Sequence, residues 1–304
     1  MSRPTASELL ANSRVITLPL TTRFRGLDVR ETMIIEGPAG PGEFAAFTEY
    51  DDAESAPWLA SAIEQAWTGM PSSAERPIVR ETVRLNATLP AVDADAVPRV
   101  LETFGEFRTV KVKVAESGQV LADDIERVAA ARAFVGDAGR VRIDANGGWN
   151  VDEAEHAIRA LEQFDLEFVE QPCATVDELA ELRDRIHRMG ILIAADESVR
   201  KAADPLAVAR AGAADILVIK VAPLGGVRRA LDIVDEAGLP VVVSSALESP
   251  VGLAASFELA KRLPELPFDC GLATDRLFTG EELTVSAERE DWWRQRAARC
   301  LDLL

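Results

Sequence analysis

From about Arg80 onward the chain repeats one unit: a short apolar, β-branched run followed by an amphipathic stretch of helical period. The strand-like runs are Val83–Leu89, Thr109–Ala115, Val141–Ala145, Glu167–Glu170, Ile191–Ala195, Ile216–Val221, Val241–Ser244 and a weaker Pro267–Cys270. Helical stretches separate them near 94–104, 119–135, 151–164, 176–189, 204–211, 225–237 and 251–263. Strand–helix alternation implies a parallel sheet covered by helices. Eight strands with seven intervening helices predict an α/β fold, a (β/α)7β TIM-like barrel whose last helix is lacking or altered. An open doubly wound sheet is the alternative, but no Gly-rich dinucleotide turn follows the first strand.

Within that rhythm, Val110-Lys111-Val112-Lys113-Val114 alternates with period two. The valines share one face and the lysines the other. In a helix-covered barrel the lysine face looks into the interior, where two ammonium groups are costly unless anionic or metal-bound chemistry balances them.

The first 82 residues read differently. Arg14–Leu20 and Val29–Glu36 are strand-like, joined by a hairpin loop holding Thr21-Thr22-Arg23-Phe24-Arg25-Gly26. Pro41–Phe47 adds a third strand, Ala56–Trp67 a helix, and Met1–Ala11 a frayed or loosely docked end. Arg23 and Arg25 are either exposed loop charge or reach a carboxylate in a site shared with the barrel. The tail is an amphipathic helix bearing Trp292 and Trp293. The expected organisation is an α+β unit at 1–82, a barrel at 83–285, and a helix at 286–304 packing back on the first unit.

The net charge of -18 argues against a phosphate-backbone partner. No run approaches the length needed to span a bilayer, and no basic-then-apolar leader opens the chain. Cys173, Cys270 and Cys300 are odd in number and lack metal-ligand spacing, so they read as reduced cytoplasmic thiols. The histidines, His156 and His187, both fall within amphipathic helices as surface or flank residues. Proton transfer near neutral pH therefore falls to lysine and carboxylate.

Reacting groups in such barrels sit at the carboxyl ends of strands. Those ends offer Lys111 and Lys113, then Asp144, Glu170, Asp196 and Lys220. Each acid could be a helix N-cap on its own. Three at successive strand ends repel one another, and a divalent cation resolves the conflict. All-oxygen ligation suits Mg2+, with Mn2+ as a substitute, over zinc. The cation would bind a small carboxylate substrate while a lysine removes the adjacent proton. Lys113, nearer the strand end, is the candidate base, its pKa lowered by burial and by Lys111. Lys220 approaches from the far wall, with Glu197 placed to pair with it.

Taken jointly, Lys111-x-Lys113, Asp144-Ala145-Asn146, Glu170-Gln171-Pro172, Asp196-Glu197-Ser198 and Lys220 resemble the enolase superfamily in its muconate-lactonizing subgroup. The separations agree: 26 residues from Asp144 to Glu170, 26 on to Asp196 and 24 on to Lys220. The first unit, with its Pro-Gly-Glu-Phe segment, is similar to the family's capping domain, although Pro41 stands where a tryptophan is common. The resemblance implies metal ligands Asp144, Glu170 and Asp196, acid/base lysines Lys113 and Lys220, and supporting roles for Asn146 and Glu197.

Within the subgroup, Ser244–Gly252 and Arg142 are most similar to the short actinobacterial o-succinylbenzoate synthases. That resemblance implies a lyase of menaquinone synthesis, dehydrating a succinyl-hydroxycyclohexadiene carboxylate to o-succinylbenzoate, with Arg142, Ser244 and Ser245 as substrate contacts or, equally, as barrel-end packing. An N-acylamino-acid racemase, dipeptide epimerase or muconate cycloisomerase would use the same lysines and metal. Phe268-Asp269-Cys270-Gly271 lacks the Asp-x-Asp that an epimerase of charged dipeptides would carry. A Schiff-base aldolase on Lys220 leaves the three acids without purpose, and a non-catalytic binding barrel leaves the whole set unused.

Overall fold

A computed structural model describes residues 3–304. The N-terminal sheet is antiparallel, with β1 (Ser13–Phe24), β2 (Leu27–Gly37), β3 (Gly40–Phe44) and a late strand, Leu283–Thr284, which pairs with the outer edge of β1. The expected loop at Thr21–Gly26 is much shorter. β1 runs on to Phe24, and only Arg25 and Gly26 turn, with φ of 53° and 74°. Two successive positive φ values match the twist of the flanking strands. Thr21 and Thr22 are β-branched and favour strand, and Thr21 Oγ1 donates to Leu277 O across the sheet end.

The expected frayed end is also corrected for its described part, Met1 and Ser2 lying outside it. Ala6–Ala11 forms helix α1 behind a capping box in which Thr5 and Glu8 satisfy each other's backbone N–H groups, and Leu9 is fully buried. Helix α2 (Asp52–Ile63), capped by Asp51, packs on β3. Gly42 permits that approach, since a Cβ there would lie 2.2 Å from Ala62 O. The C-terminal helix (Ala287–Asp302) covers the same sheet. Trp293 packs edge-on to Phe44 at 5.5 Å, its Nε1 donates to Glu31, and buried Arg296 donates to the carbonyls of Ala46, Phe47 and Tyr50. Burying Trp58, Trp293 or Phe44 stabilises the unit by roughly 2 kcal/mol apiece.

The second sheet is parallel and strictly sequential: β4 (Ala87–Leu89), β5 (Thr109–Lys113), β6 (Arg140–Asp144), β7 (Leu166–Glu170), β8 (Leu192–Ala195), β9 (Ile216–Ile219) and β10 (Val241–Val243). The expected eighth strand is reduced to two bridges. Cys270 pairs with Leu85 and Gly271 with Ser244, which joins β4 to β10 and closes the barrel. Pro267 has no N–H to lend a longer ladder there. Outward residues such as Val110, Val112, Ile143, Val169 and Ile219 pack under the helices. Inward ones, Phe168, Ala194, Ile216, Val218 and Val242, form a separate apolar plug. Polar residues stand above that plug, on the rim at the strands' carboxyl ends.

Two acids of the N-terminal unit cap helices of the barrel. Glu43 accepts from Ser249 N, Ser249 Oγ and Gly252 N at the start of Pro250–Arg262, and Glu64 accepts from Val227 N and Arg228 N at the start of Val227–Ala237. Each satisfies N–H groups that a helix leaves open at its first turn.

Candidate active site

Strand register puts the rim residues in one layer. Lys113 pairs with Asp144 across β5–β6, and Asp144 with Glu170 across β6–β7. Asp196 follows the end of β8, and Lys220 follows β9. None of the three acids caps a helix through its side chain. The helices after Asp144 and Glu170 carry their own caps, Asn150 and Thr175, and Asp196 makes no capping bond.

Lys111 is wedged between two of these acids, 3.0 Å from Asp144 Oδ2 and 2.9 Å from Glu170 Oε1. Burial opposes its charge, but Asp144 and Glu170 outweigh burial and raise its pKa. Lys113 reaches the same Asp144 oxygen at 2.6 Å and also donates to Asn146 Oδ1. Its pKa is lowered, by burial first, against the pull of Asp144 and with the help of Lys111. Burial and the Asp144 carboxylate push Glu170 up to about 7. Asp196 goes the other way: burial works against its charge, but Lys220 at 2.6 Å and Arg200 at 3.1 Å bring it to about 2.

The expected Glu197–Lys220 pair does not form. Lys220 goes to Asp196, and Glu197 instead accepts from Asn146 and from Arg200. The reason is local: on the short helix Glu197–Arg200 the two residues are i, i+3 neighbours, so Glu197 pairs with Arg200. Arg142 sits one inward position below Asp144. It ion-pairs with Glu167 at 2.7 Å, donates to Asp269 O, and stacks over Phe168, so it joins the barrel's interior packing rather than the chamber. Ser245 lines the chamber, but its hydroxyl is fully engaged, donating to Glu248 and accepting from Leu247 N and Thr274 Oγ1. Ser244 lines the chamber as well.

Lys111, Lys113, Lys220, Ser244, Ser245 and Arg200 share an inner chamber with Phe24, Arg25 and Phe47 of the N-terminal unit. It opens into a cavity of about 570 Å³ whose walls include Arg23, Arg25, Lys113, Asn146, Glu197 and Lys201. Phe24 lies 5.6 Å from Lys113 Nζ, so the hairpin tip roofs the candidate base. Arg200 and Tyr50 escaped the sequence reading. The i, i+4 spacing of Asp196 and Arg200 on a short helix was the available signal for the first; Tyr50 offered none.

Residues 93–292 match the family model described as enolase C-terminal domain-like, and residues 15–66 match the enolase N-terminal domain-like model. The chain belongs to the enolase superfamily. The chain is 56% identical over 264 residues to an o-succinylbenzoate synthase of Thermobifida fusca (strain YX), covering 87% of this chain and 80% of that protein. An o-succinylbenzoate synthase of Mycobacterium tuberculosis (strain ATCC 25177 / H37Ra) is 50% identical over 327 aligned positions, covering 99% and 97%. Two solved structures share the fold: the L-Ala-D/L-Glu epimerase from Bacillus subtilis (TM-score 0.75, 24% identity, 88% and 90% covered) and the N-succinyl Arg/Lys racemase from Bacillus cereus (TM-score 0.73, 19% identity, 90% and 91% covered). The superfamily assignment and these full-length relatives make the chain an enzyme acting on a small molecule.

Enzymes of this superfamily use a divalent metal. Among the described residues no three His, Cys, Asp or Glu side chains are gathered at metal-binding separation, because lysine ammonium groups sit between the acids. The donor set nevertheless fits such an ion. Three fully buried carboxylates rise from successive strands, burial and the Asp144 carboxylate push Glu170 up to about 7, and Glu197 Oε2 is buried with no partner. Oxygen-only donors of that charge suit a hard divalent cation.

Proposed function

We propose that the chain is a cytoplasmic o-succinylbenzoate synthase, a carbon–oxygen lyase of menaquinone synthesis that uses Mg2+. The observation that carries the reading is the pair Lys113 and Lys220, which open into one chamber from strands β5 and β9, on opposite walls of the barrel. The near-full-length identity to synthases supports the substrate: a succinyl-hydroxycyclohexadiene carboxylate. Three free, buried cysteines support the location.

Asp144, Glu170 and Asp196 would hold the cation, which supplies positive charge against the substrate carboxylate as its neighbouring carbon loses a proton. Lys113 takes that proton in its neutral form, which burial and Lys111 favour. Asn146 fixes the Lys113 ammonium after transfer by accepting at 2.6 Å. Lys220, ion-paired with Asp196 at 2.6 Å, faces the developing enolate from the other side. Lys113 then returns its proton to the departing hydroxide, releasing water and the aromatic product. Phe24, with its ring 5.6 Å from Lys113 Nζ, covers one side of the base.

The test is a spectrophotometric assay of the cyclohexadiene substrate with Mg2+, run beside an N-succinylamino-acid racemisation assay. Metal-dependent aromatisation is the expected result. Racemisation without dehydration would replace this reading with the racemase, which two opposed lysines also permit.

A further inference from the structure

Tyr50 is the chain's one tyrosine, and its hydroxyl does something its ring does not need. The ring packs edge-on to Phe47 at 5.5 Å and tilted against Trp58 at 6.3 Å, contacts a phenylalanine would make equally well. The oxygen accepts from two guanidinium groups of different parts of the molecule, Arg25 Nη2 at 2.8 Å and Arg200 Nη1 at 3.2 Å. Lys201 Nζ stands 4.4 Å from the ring centroid. Burial would raise the phenol's pKa, yet Arg200 and Arg25 outweigh it and hold it below the usual value.

The two arginines end in different places. Arg25 is at the hairpin tip, in a left-handed conformation (φ 53°) that a non-glycine residue adopts only when its surroundings hold it there. Arg200 is buried in the barrel, and its remaining nitrogens go to Asp196 Oδ1 at 3.1 Å and Glu197 Oε1 at 2.7 Å. One unbroken chain of contacts thus runs from the tip roofing Lys113 to an acid of the rim.

We propose that the Tyr50 hydroxyl is a latch: by tying Arg25 to Arg200 it holds the Phe24–Gly26 tip closed over the chamber, which makes Tyr50 a positioning residue for substrate retention. The proposal rests on the chamber being the substrate site. Tyr50→Phe keeps the ring and removes only the shared acceptor.

In the substrate-free protein, chymotryptic cleavage after Phe24 should accelerate about fivefold or more in Tyr50→Phe. KM for the cyclohexadiene substrate should rise about tenfold, the scale of one lost charge-assisted hydrogen bond, with kcat changing by less than about threefold. Arg25→Met, a change at an exposed turn, should move both readouts in the same direction. Arg25 also stacks over Phe47 at 3.8 Å and pairs with Glu49 at 3.5 Å, so Arg25→Met already removes the Tyr50 link together with these, and combining the two changes should add little to Arg25→Met alone. Unchanged cleavage and KM in Tyr50→Phe, or effects that multiply in the double variant, would overturn the latch. Cleavage is measured without substrate, so absent turnover in the unaltered protein would sink the proposed reaction while the cleavage rates still decide the latch.

Discussion

Lys111 and Lys113 donate to the same oxygen, Asp144 Oδ2, at 3.0 and 2.6 Å, yet their environments push their pKa values in opposite directions. The difference lies in the second partner. Lys111 also has the Glu170 carboxylate, whereas Lys113 has only the neutral Asn146 amide and, beyond it, the chamber. Two lysines two residues apart on one face of β5 are thereby divided into a permanent cation and a group able to give up its proton.

Lys113→Ala tests that division. Loss of a positioned general base costs about 10²–10⁴-fold in turnover, and kcat should fall within or beyond that range. The side chain lies at the chamber's edge rather than in the apolar core, so the melting temperature and Mg2+ binding should change little. Retained turnover would remove Lys113 as the base.

The cysteines should be inert. All three thiols are buried, and burial is the leading cause that pushes Cys173 and Cys270 up to about 12 and Cys300 to about 11. At pH 8 an unfolded thiol is substantially ionised, whereas the folded ones stay protonated and unreactive. A thiol-reactive disulfide reagent should label none within minutes in the native protein and all three in guanidinium. Rapid labelling of Cys173 in the native state would show instead that it opens onto the barrel mouth.

Much of this site was legible because parallel strands fix side-chain direction. Once Val110–Val114 was read as a helix-covered strand, Lys111 and Lys113 had to point inward, and the strand-end rule then collected Asp144, Glu170, Asp196 and Lys220. What stayed hidden depended on distance in sequence. Arg142 had the right parity but the wrong depth, a difference of one inward layer that only register with Phe168 and Glu167 decides. Tyr50 meets Arg200 from 150 residues away, and no local pattern announces it. The hairpin is longer than its sequence suggests because a polar Thr-Thr-Arg run has the composition of a loop, although β-branched threonines extend a strand equally well.

Glu43 should matter to stability far more than an ordinary acid on a small sheet. Its carboxylate accepts from Thr32 Oγ1 on its own sheet and from Ser249 and Gly252 on the barrel, all buried. Glu43→Ala leaves those donors without acceptors and uncaps a barrel helix, which should cost about 3 kcal/mol. The urea midpoint should drop clearly, and Glu43→Gln, keeping one acceptor oxygen, should drop less. A midpoint unmoved by the alanine variant would mean that the two sheets dock without this clamp.

Metal dependence offers the sharpest check on the acids. Chelation with EDTA should abolish turnover, and added Mg2+ or Mn2+ should restore it. Asp196 has the most to lose from neutralisation: Lys220 and Arg200 both lean on it, and together they overcome burial to keep it ionised down to about pH 2. Asp196→Asn removes one negative donor and leaves two buried cations facing an amide, which raises the local positive potential where the ion must sit. Half-saturating Mg2+ should therefore rise by about tenfold or more, with turnover falling in parallel. Mn2+ binding followed by electron paramagnetic resonance should weaken to match, independently of catalysis. A variant that saturates at the unaltered concentration would take Asp196 out of the ligand set and leave its ion pairs with Lys220 and Arg200 as purely structural.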